Sequence, residues 1–297
     1  MTDHARMTLR AGFASILVSG ILVALKLWAV SSTGALSIAA SLADSAMDLM
    51  MSVGALTALL YAQRPADEDH AFGHSSAEDI AALGQAVFIT ISAGVIAVAA
   101  VMRLLSPDPQ PLAAEGQGVA VMGVAILLTL LLVWWQGRVA GQTGNRVISA
   151  DRLHYLGDLI PSVGAIVSLM ASGPLNLPQI DSVVALAAAV FMVIGAAGIG
   201  RGAFDALMDR QADPELLEGI MTLTRNWPEV RGFHDLKSRT AGSRVFIHLH
   251  IELDGDLTLR EAHDIGAGLK RTITLAYPQT DVIIHKDVHK DGADQRA

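Results

Sequence analysis

The stretch DIAALGQAVFITISAGVIAVAAVMRLL, from Asp79 to Leu105, carries one charged residue, Arg103, after its first position, and most of its other side chains are apolar. About 20 predominantly apolar residues form a helix that is long enough to cross the hydrocarbon core of a bilayer. Five further stretches of the chain meet this criterion, so the sequence predicts six membrane-spanning helices. The six predicted segments are residues 10–32, 36–63, 79–105, 115–137, 147–172 and 180–204.

The overall composition agrees with a membrane protein. Of the 297 residues, 52% are hydrophobic and only 17% are charged, and the mean hydropathy is +0.45, which is more apolar than an ordinary soluble chain. The formal net charge of -8 argues against nucleic-acid binding, which needs a basic surface. The chain has no cysteine, so any metal site must use His, Asp, Glu or backbone oxygen.

Charged residues near the ends of the six segments predict the orientation in the membrane. Lys26 interrupts the first segment, and we expect it either to reach towards the interface or to face the other helices. Arg103 alone flanks one side of the membrane, and the other arginines near segment ends fall on the opposite side. By the positive-inside rule, both termini are cytoplasmic. The arginines on the cytoplasmic side are Arg6, Arg10, Arg64, Arg138, Arg146, Arg152, Arg201 and Arg210.

The pattern changes near Asp209, where charges and histidines become frequent. We therefore divide the chain into a transmembrane domain, residues 1–208, and a small cytoplasmic α+β domain, residues 209–297. The expected order of helix, strand, strand, helix and strand predicts a compact sheet with its helices on one face, of the ferredoxin-like or metallochaperone-like kind. The predicted elements are a helix over Asp213–Trp227, strands over Val230–Arg239 and Arg244–Leu253, a helix from the Thr258–Glu261 capping box to Pro278, and a strand over Asp281–His285.

Two pairs of ionisable residues lie inside predicted membrane helices. Asp44 and Asp48 are four apart in the second segment, and His154 and Asp158 are four apart in the fifth, a spacing that places each pair on one helix face. Buried carboxylates are costly in a bilayer and call for a compensating cation or protons. Three oxygens and one nitrogen suit a tetrahedral divalent zinc ion, whereas the alternative is a set of buried hydrogen-bonding groups. Pro161 predicts a kink beside this site or an ordinary packing kink.

Further metal ligands occur outside the predicted membrane segments. In the loop after the second segment, Asp67, His70 and His74 offer three donors for a second metal ion, although an acidic, solvated loop would look the same. The last domain concentrates six donors, which predicts one or two more sites, whereas any single histidine there is also compatible with a surface position. These donors are His234, His248, His250, His263, His285 and Asp287.

Several motifs occur in a fixed order along the chain. They are Ser41-Leu-Ala-Asp44-Ser-Ala-Met-Asp48, Pro65-Ala-Asp67 through Phe72-Gly-His74, Asp151-Arg-Leu-His154-Tyr-Leu-Gly-Asp158, His234-Asp-Leu and Ile283-Ile-His285-Lys-Asp287. With these motifs the whole chain resembles the cation diffusion facilitator family, and within it the bacterial zinc and ferrous-iron efflux branch. The resemblance implies a homodimer of six-helix subunits in the bacterial inner membrane that exchanges cytoplasmic metal for external protons.

The resemblance also implies a role for particular residues. It implies a transport site at Asp44, Asp48, His154 and Asp158, and a loop site at Asp67, His70 and His74. It implies a binuclear cytoplasmic site that uses His234, His250, His263, His285 and Asp287. The family register selects His250 over His248, which shares its strand face. Zinc is the expected metal, as cargo and as a resident ion, and cadmium and ferrous iron are further candidates.

Two positions depart from the pattern of this branch. Lys286 stands where the branch usually has glutamine, so we expect weaker binding or loss of one cytoplasmic metal, unless only the Lys286 backbone carbonyl approaches the metals. Ser76 stands where the branch tends to have a lysine linked to a charge interlock at the dimer interface. We therefore expect that interlock to be replaced or missing.

The ligand types also predict how transport is coupled and which other functions compete. Carboxylate and imidazole ligands lose protons when they bind metal, which predicts metal–proton antiport, with His154 as the natural group to titrate near neutral pH. An intramembrane metallohydrolase would need an open metal position and a general base, and the chain has no His-Glu-x-x-His motif. A metal sensor with a membrane anchor would not need four ionisable residues in the bilayer, so we expect a transporter and not an enzyme.

Overall fold

The computed structural model describes residues 3–33, 36–105, 116–159 and 180–289. Within these ranges, the side chains at 30, 32–33, 36–41, 43–44, 103, 116–122, 180–181 and 184 lie outside the description. The chain divides into two compact units, residues 1–204 and 205–297, close to the predicted boundary.

Helices make up the first unit. Five of the described helices are long and apolar enough to cross a membrane. The fifth helix in chain order is described only over residues 146–159, so the rest of predicted segment 147–172, with Pro161, lies outside the described residues. A sixth span therefore stays a prediction. The helices are α1 (Asp3–Thr33), α2 (Leu36–Ala62), α3 (Ala77–Leu105), α4 (Gly116–Thr143), α5 (146–159) and α6 (Ile180–Leu207).

The surface and the interior of this unit differ as expected for a protein in lipid. Large apolar side chains such as Leu17, Ile91 and Trp134 are exposed, where a bilayer would cover them. Small residues such as Ala11 and Ala82 fill the interior, which lets helix backbones approach closely. α1 packs against α2 and α4, and α2 packs against α3. The buried polar side chains therefore lie between helices, where the candidate membrane site is found.

The second unit has the predicted order of elements. Asp213 caps α7 by accepting a hydrogen bond from the backbone N–H of Glu215 at 2.8 Å, and Thr258 and Glu261 form the expected capping box of α8. Strand β3 is longer than predicted and continues through the candidate ligands. The elements are α7 (Pro214–Arg225), β1 (Gly232–Ala241), β2 (Arg244–Leu253), α8 (Leu259–Ala276) and β3 (Thr280–Val288).

The three strands form one sheet in the order β1-β2-β3. β1 and β2 are antiparallel, and β2 and β3 are parallel, joined by α8. Alternate residues of β2 from Val245 to Leu253 are buried against Ile220 of α7 and Leu269 of α8. The other β2 residues, including His250, face away from both helices because side chains alternate along a strand. This helix-free side is called the open face. The domain is α+β, and the ferredoxin-like assignment stays a prediction.

Candidate metal sites

Helices α2 and α5 bring three ionisable side chains together inside the first unit. His154 Nε2 lies 2.9 Å from Asp48 Oδ1 and 3.8 Å from Asp158 Oδ2, and one donor atom from each residue lies within 4.8 Å of the others. The side chains of His154 and Asp48 are only 9% and 14% exposed. Asp44 lies one turn before Asp48 in α2, but its side chain is outside the description. Asp48, His154 and Asp158 are called the membrane group below.

A buried polar network stands one turn from His154. Asp151 Oδ2 accepts hydrogen bonds from Ser15 Oγ at 2.6 Å and from Gln136 Nε2 at 2.7 Å, which ties α5 to α1 and α4. Ser52 Oγ and Tyr155 Oη lie 2.9 Å apart and connect α2 to α5. The sequence motif contains Asp151, but its spacing gave no sign of a partner as distant in the sequence as Ser15. These contacts position the helix that carries His154 and Asp158.

Lys26 faces the helix bundle, which was one of its two expected orientations. Its Nζ donates to Ser45 Oγ at 2.6 Å, and Ser45 is almost completely buried in α2. A cationic side chain therefore lies close to the helix turn that carries the acidic residues of the membrane segment. Such a charge is expected to pair or bond inside the bundle when it cannot reach water.

The loop between α2 and α3 brings Asp67, His70 and His74 together. The carboxylate of Asp67 lies 3.2 Å from His70 Nδ1 and 3.3 Å from His74 Nε2. Asp67 also accepts the backbone N–H of His70 at 2.7 Å, and this hydrogen bond lowers the pKa of the Asp67 carboxyl. His74 is buried, with its ring against Tyr61, while Asp67 and His70 are about half exposed. The arrangement offers a cation one carboxylate and two imidazole rings.

Strand register builds a third group on the open face. His250 of β2 pairs with His234 of β1 and with His285 of β3, so three imidazoles lie in a row across the sheet. Asp287 lies two residues after His285, with its carboxylate 2.8 Å from His250 Nδ1 and 3.2 Å from His285 Nε2. The hydrogen bond from His250 lowers the pKa of Asp287. His234, His250, His285 and Asp287 are called the sheet group below.

Two other predicted residues lie apart from the sheet group. His263 is an exposed residue of α8, the helix on the opposite side of the sheet, so it cannot join these ligands within one subunit. Lys286 pairs with Ile251 on the helix-covered face, and a methyl group at Gly266 of α8 would lie 2.5 Å from Lys286 Cε. The ammonium therefore extends away from the sheet group.

The structure adds two donors that the sequence reasoning did not select. Glu252 follows His250 on the open face, and His289 follows Asp287 after one intervening residue. The alternation of β2 showed the face of Glu252, but nothing in the sequence predicted that the strand pairing continues to His289. The continuation is visible in the hydrogen bond from the His289 backbone N–H to the Leu253 carbonyl, at 2.8 Å.

These features define a multi-pass membrane protein with groups of side chains that could hold metal ions among its helices and on an α+β domain. Residues 12–208 match the cation efflux transmembrane domain, and residues 212–289 match the cytoplasmic domain of cation efflux proteins. The chain therefore belongs to the cation efflux, or cation diffusion facilitator, family. Members of this family are metal cation efflux transporters and not enzymes, which excludes the metallohydrolase alternative.

Similar proteins cover nearly the whole chain. The cation-efflux pump FieF of Cronobacter sakazakii is 36% identical over 285 residues, which span 96% of this chain and 94% of the relative. FieF of Pectobacterium atrosepticum is 37% identical over 284 residues, with the same coverage. A solved structure of the metal-bound C-terminal domain of the CzcD transporter from Thermotoga maritima is 22% identical, covers 27% of this chain and 93% of its own, and has a TM-score of 0.25.

Proposed function

We propose that this protein exports zinc from the cytoplasm in exchange for external protons, with the membrane group as the transport site. The observation that carries the proposal is the position of His154 between two carboxylates, at 2.9 and 3.8 Å, where α5 meets α2, a helix that is long and apolar enough to cross a membrane. One nitrogen and two or more carboxylate oxygens suit zinc, and they also suit cadmium and ferrous iron as further substrates. Asp44 would supply the fourth donor.

Competition between metal and protons supplies the coupling. Without a cation, two or three carboxylates among apolar helices need protons or a partner such as His154 to compensate their charge. A metal ion arriving from the cytoplasm displaces these protons, and external protons release the metal after the site has changed sides. The cycle needs two facing states with different metal affinities, because a ligand shifts an equilibrium only by its differential binding.

The proposed assembly is a homodimer of six-span subunits in the bacterial inner membrane, with both termini in the cytoplasm. The arginine distribution supports cytoplasmic termini. The match to the cytoplasmic domain of cation efflux proteins supports a cytoplasmic position for the second unit. A homodimer would also give His263 a role. Because α8 and the open face are on opposite sides of one sheet, a second subunit would be needed to bring His263 to a sheet group.

The loop group and the sheet group are proposed as additional zinc sites. Each combines imidazole nitrogens with a carboxylate whose pKa is lowered by a hydrogen bond, so the carboxylate is ionised at neutral pH. Bound zinc would link β1, β2 and β3 through His234, His250 and His285. Such an ion stabilises the folded domain by mass action.

Transport by purified protein in sealed vesicles tests the proposal. Zinc is added outside vesicles that hold a zinc-sensitive dye, with an acidic or a neutral interior, and the reverse gradient serves as the control. We expect zinc to enter faster when the vesicle interior is acidic, because protons leaving the vesicle drive the exchange. Equal rates of zinc entry with an acidic interior, a neutral interior and the reverse gradient would exclude antiport. No zinc entry under any of these conditions would exclude zinc transport.

A further inference from the structure

Glu252 and His289 form a pair of metal-ligating side chains on the open face, next to the sheet group. His289 Nδ1 lies 2.6 Å from Glu252 Oε2, and the two side chains are 29% and 27% exposed. The backbone hydrogen bond of His289 to Leu253 holds its ring beside β2. The pair is therefore both fixed by the sheet and open to an ion from solvent.

A glycine in β1, Gly232, leaves space for the Glu252 carboxylate because it has no side chain. Gly232 is the β1 residue paired with Glu252, and a methyl group there would lie 2.8 Å from Glu252 Oε2. This separation is too short for a carbon and an oxygen that are not bonded. The Glu252 carboxylate therefore lies over β1, in the space that the Cβ atom of any residue other than glycine would occupy at position 232.

His234 connects this pair to the sheet group. Its Nε2 atom lies 3.4 Å from Asp287 Oδ2 and 3.7 Å from Glu252 Oε1, so one imidazole nitrogen stands between a carboxylate of each group. The donors form a continuous row across the open face. Two carboxylates spaced along this row would reduce the repulsion between neighbouring divalent ions, which is strong at short distances.

We propose that Glu252 and His289 bind an additional divalent cation of the zinc class beside the metal site of the sheet group, to which His234 belongs. The proposal rests on the proposed metal-binding role of the sheet group. One carboxylate oxygen and one imidazole nitrogen are typical zinc ligands, and waters complete the four-coordinate shell. The cytoplasmic domain then holds one more ion than the sheet group accounts for.

Zinc counting on the full-length protein tests this site. Purified chains in detergent micelles are dialysed against a saturating zinc buffer, and bound zinc per chain is measured by atomic emission. We compare His289→Ala and Glu252→Gln with wild type and with His248→Ala, which removes an exposed histidine from the same strand face. We expect each of the first two variants to lose about one zinc ion per chain, since each removes a ligand from a four-coordinate site, and His248→Ala to lose none.

A His250→Ala variant distinguishes failure of the additional site from failure of the sheet group as a metal site. If His250→Ala loses zinc while His289→Ala and Glu252→Gln keep the wild-type count and bind it only more weakly, the pair merely orients His234 and the additional site is wrong. If His250→Ala, His289→Ala and Glu252→Gln all keep the wild-type count, the metal role of the sheet group is wrong as well. Circular dichroism of each variant confirms that the loss of zinc does not come from unfolding.

Discussion

The membrane group and the sheet group use the same two ligand types in opposite surroundings. The side chain of His154 is 9% exposed among apolar helices, whereas that of His285 is 62% exposed on the open face. Water can solvate the sheet group when no metal is bound. In the membrane group, protons or a cation must compensate the charge of the carboxylates whether or not a metal ion is bound. This difference supports the proposal that the membrane group exchanges metal for protons and that the sheet group holds resident ions.

The largest expected effect is the loss of transport when a membrane ligand is removed. Asp48→Ala eliminates the carboxylate nearest to His154, and we expect zinc flux in reconstituted vesicles to fall by more than ~100-fold, since losing even an outer-shell partner of a metal ligand costs about 10–100-fold. Asp3→Ala, which removes an exposed carboxylate of α1, is the matched control and should transport normally. Near wild-type flux by Asp48→Ala would disprove the assignment of the transport site.

A change of ion preference is the next largest effect. His154→Asp replaces the nitrogen donor of the membrane group by oxygen, and nitrogen favours zinc while an all-carboxylate set favours manganese. We expect the zinc-to-manganese transport ratio to fall by on the order of 10-fold, which corresponds to ~1.4 kcal/mol. Competitive transport with both ions in one vesicle preparation measures this ratio. An unchanged ratio would place selectivity in another part of the protein.

Removing ligands of the sheet group should abolish the stabilisation of the second unit by zinc. It should not prevent the unit from folding. A fragment covering the second unit, residues 205–297, has its own apolar core. We expect zinc at about 100 times its Kd to stabilise this fragment by about 2.7 kcal/mol. The triple variant His234→Ala, His250→Ala, His285→Ala should lose that gain in a thermal melt. A retained shift would mean that zinc binds elsewhere on the fragment.

The smallest expected effect concerns Lys286. Because its side chain lies against Gly266 on the helix-covered side of the sheet, its charge is directed away from the sheet group. We expect Lys286→Gln to change zinc stoichiometry little in calorimetric titration of the fragment, whereas the sequence alone predicts that Lys286 weakens or removes one of the metals. A clear gain of tightly bound zinc in Lys286→Gln would show that the ammonium does repel the metals.

Local sequence patterns predicted most of the helices and strands. Which candidate ligands lie together depends on contacts between residues that are far apart in the sequence. Apolar length identified the helices, and the alternation from Val245 to Leu253 predicted which side of β2 would be buried. The i, i+4 spacing of His154 and Asp158 placed them on one face, but their approach to Asp48 depends on how α2 and α5 pack. No local pattern contains that information.

The second unit shows the same limit more clearly. The histidine count predicted a metal site, yet only the pairing of β1, β2 and β3 showed that His234, His250 and His285 lie in one row. The pairing also placed His263 on the other side of the sheet. Glu252 and His289 were missed because their contact depends on one residue of strand pairing beyond β3.

In the proposed mechanism the membrane group moves zinc and the sheet group only holds it. The most direct measurement determines zinc flux and bound zinc in the same preparations of full-length Asp158→Ala and His250→Ala. We predict that Asp158→Ala loses flux while keeping the zinc of the sheet group, and that His250→Ala loses bound zinc while its flux at saturating zinc persists. Persistent flux in Asp158→Ala, or loss of flux in His250→Ala alone, would contradict this account.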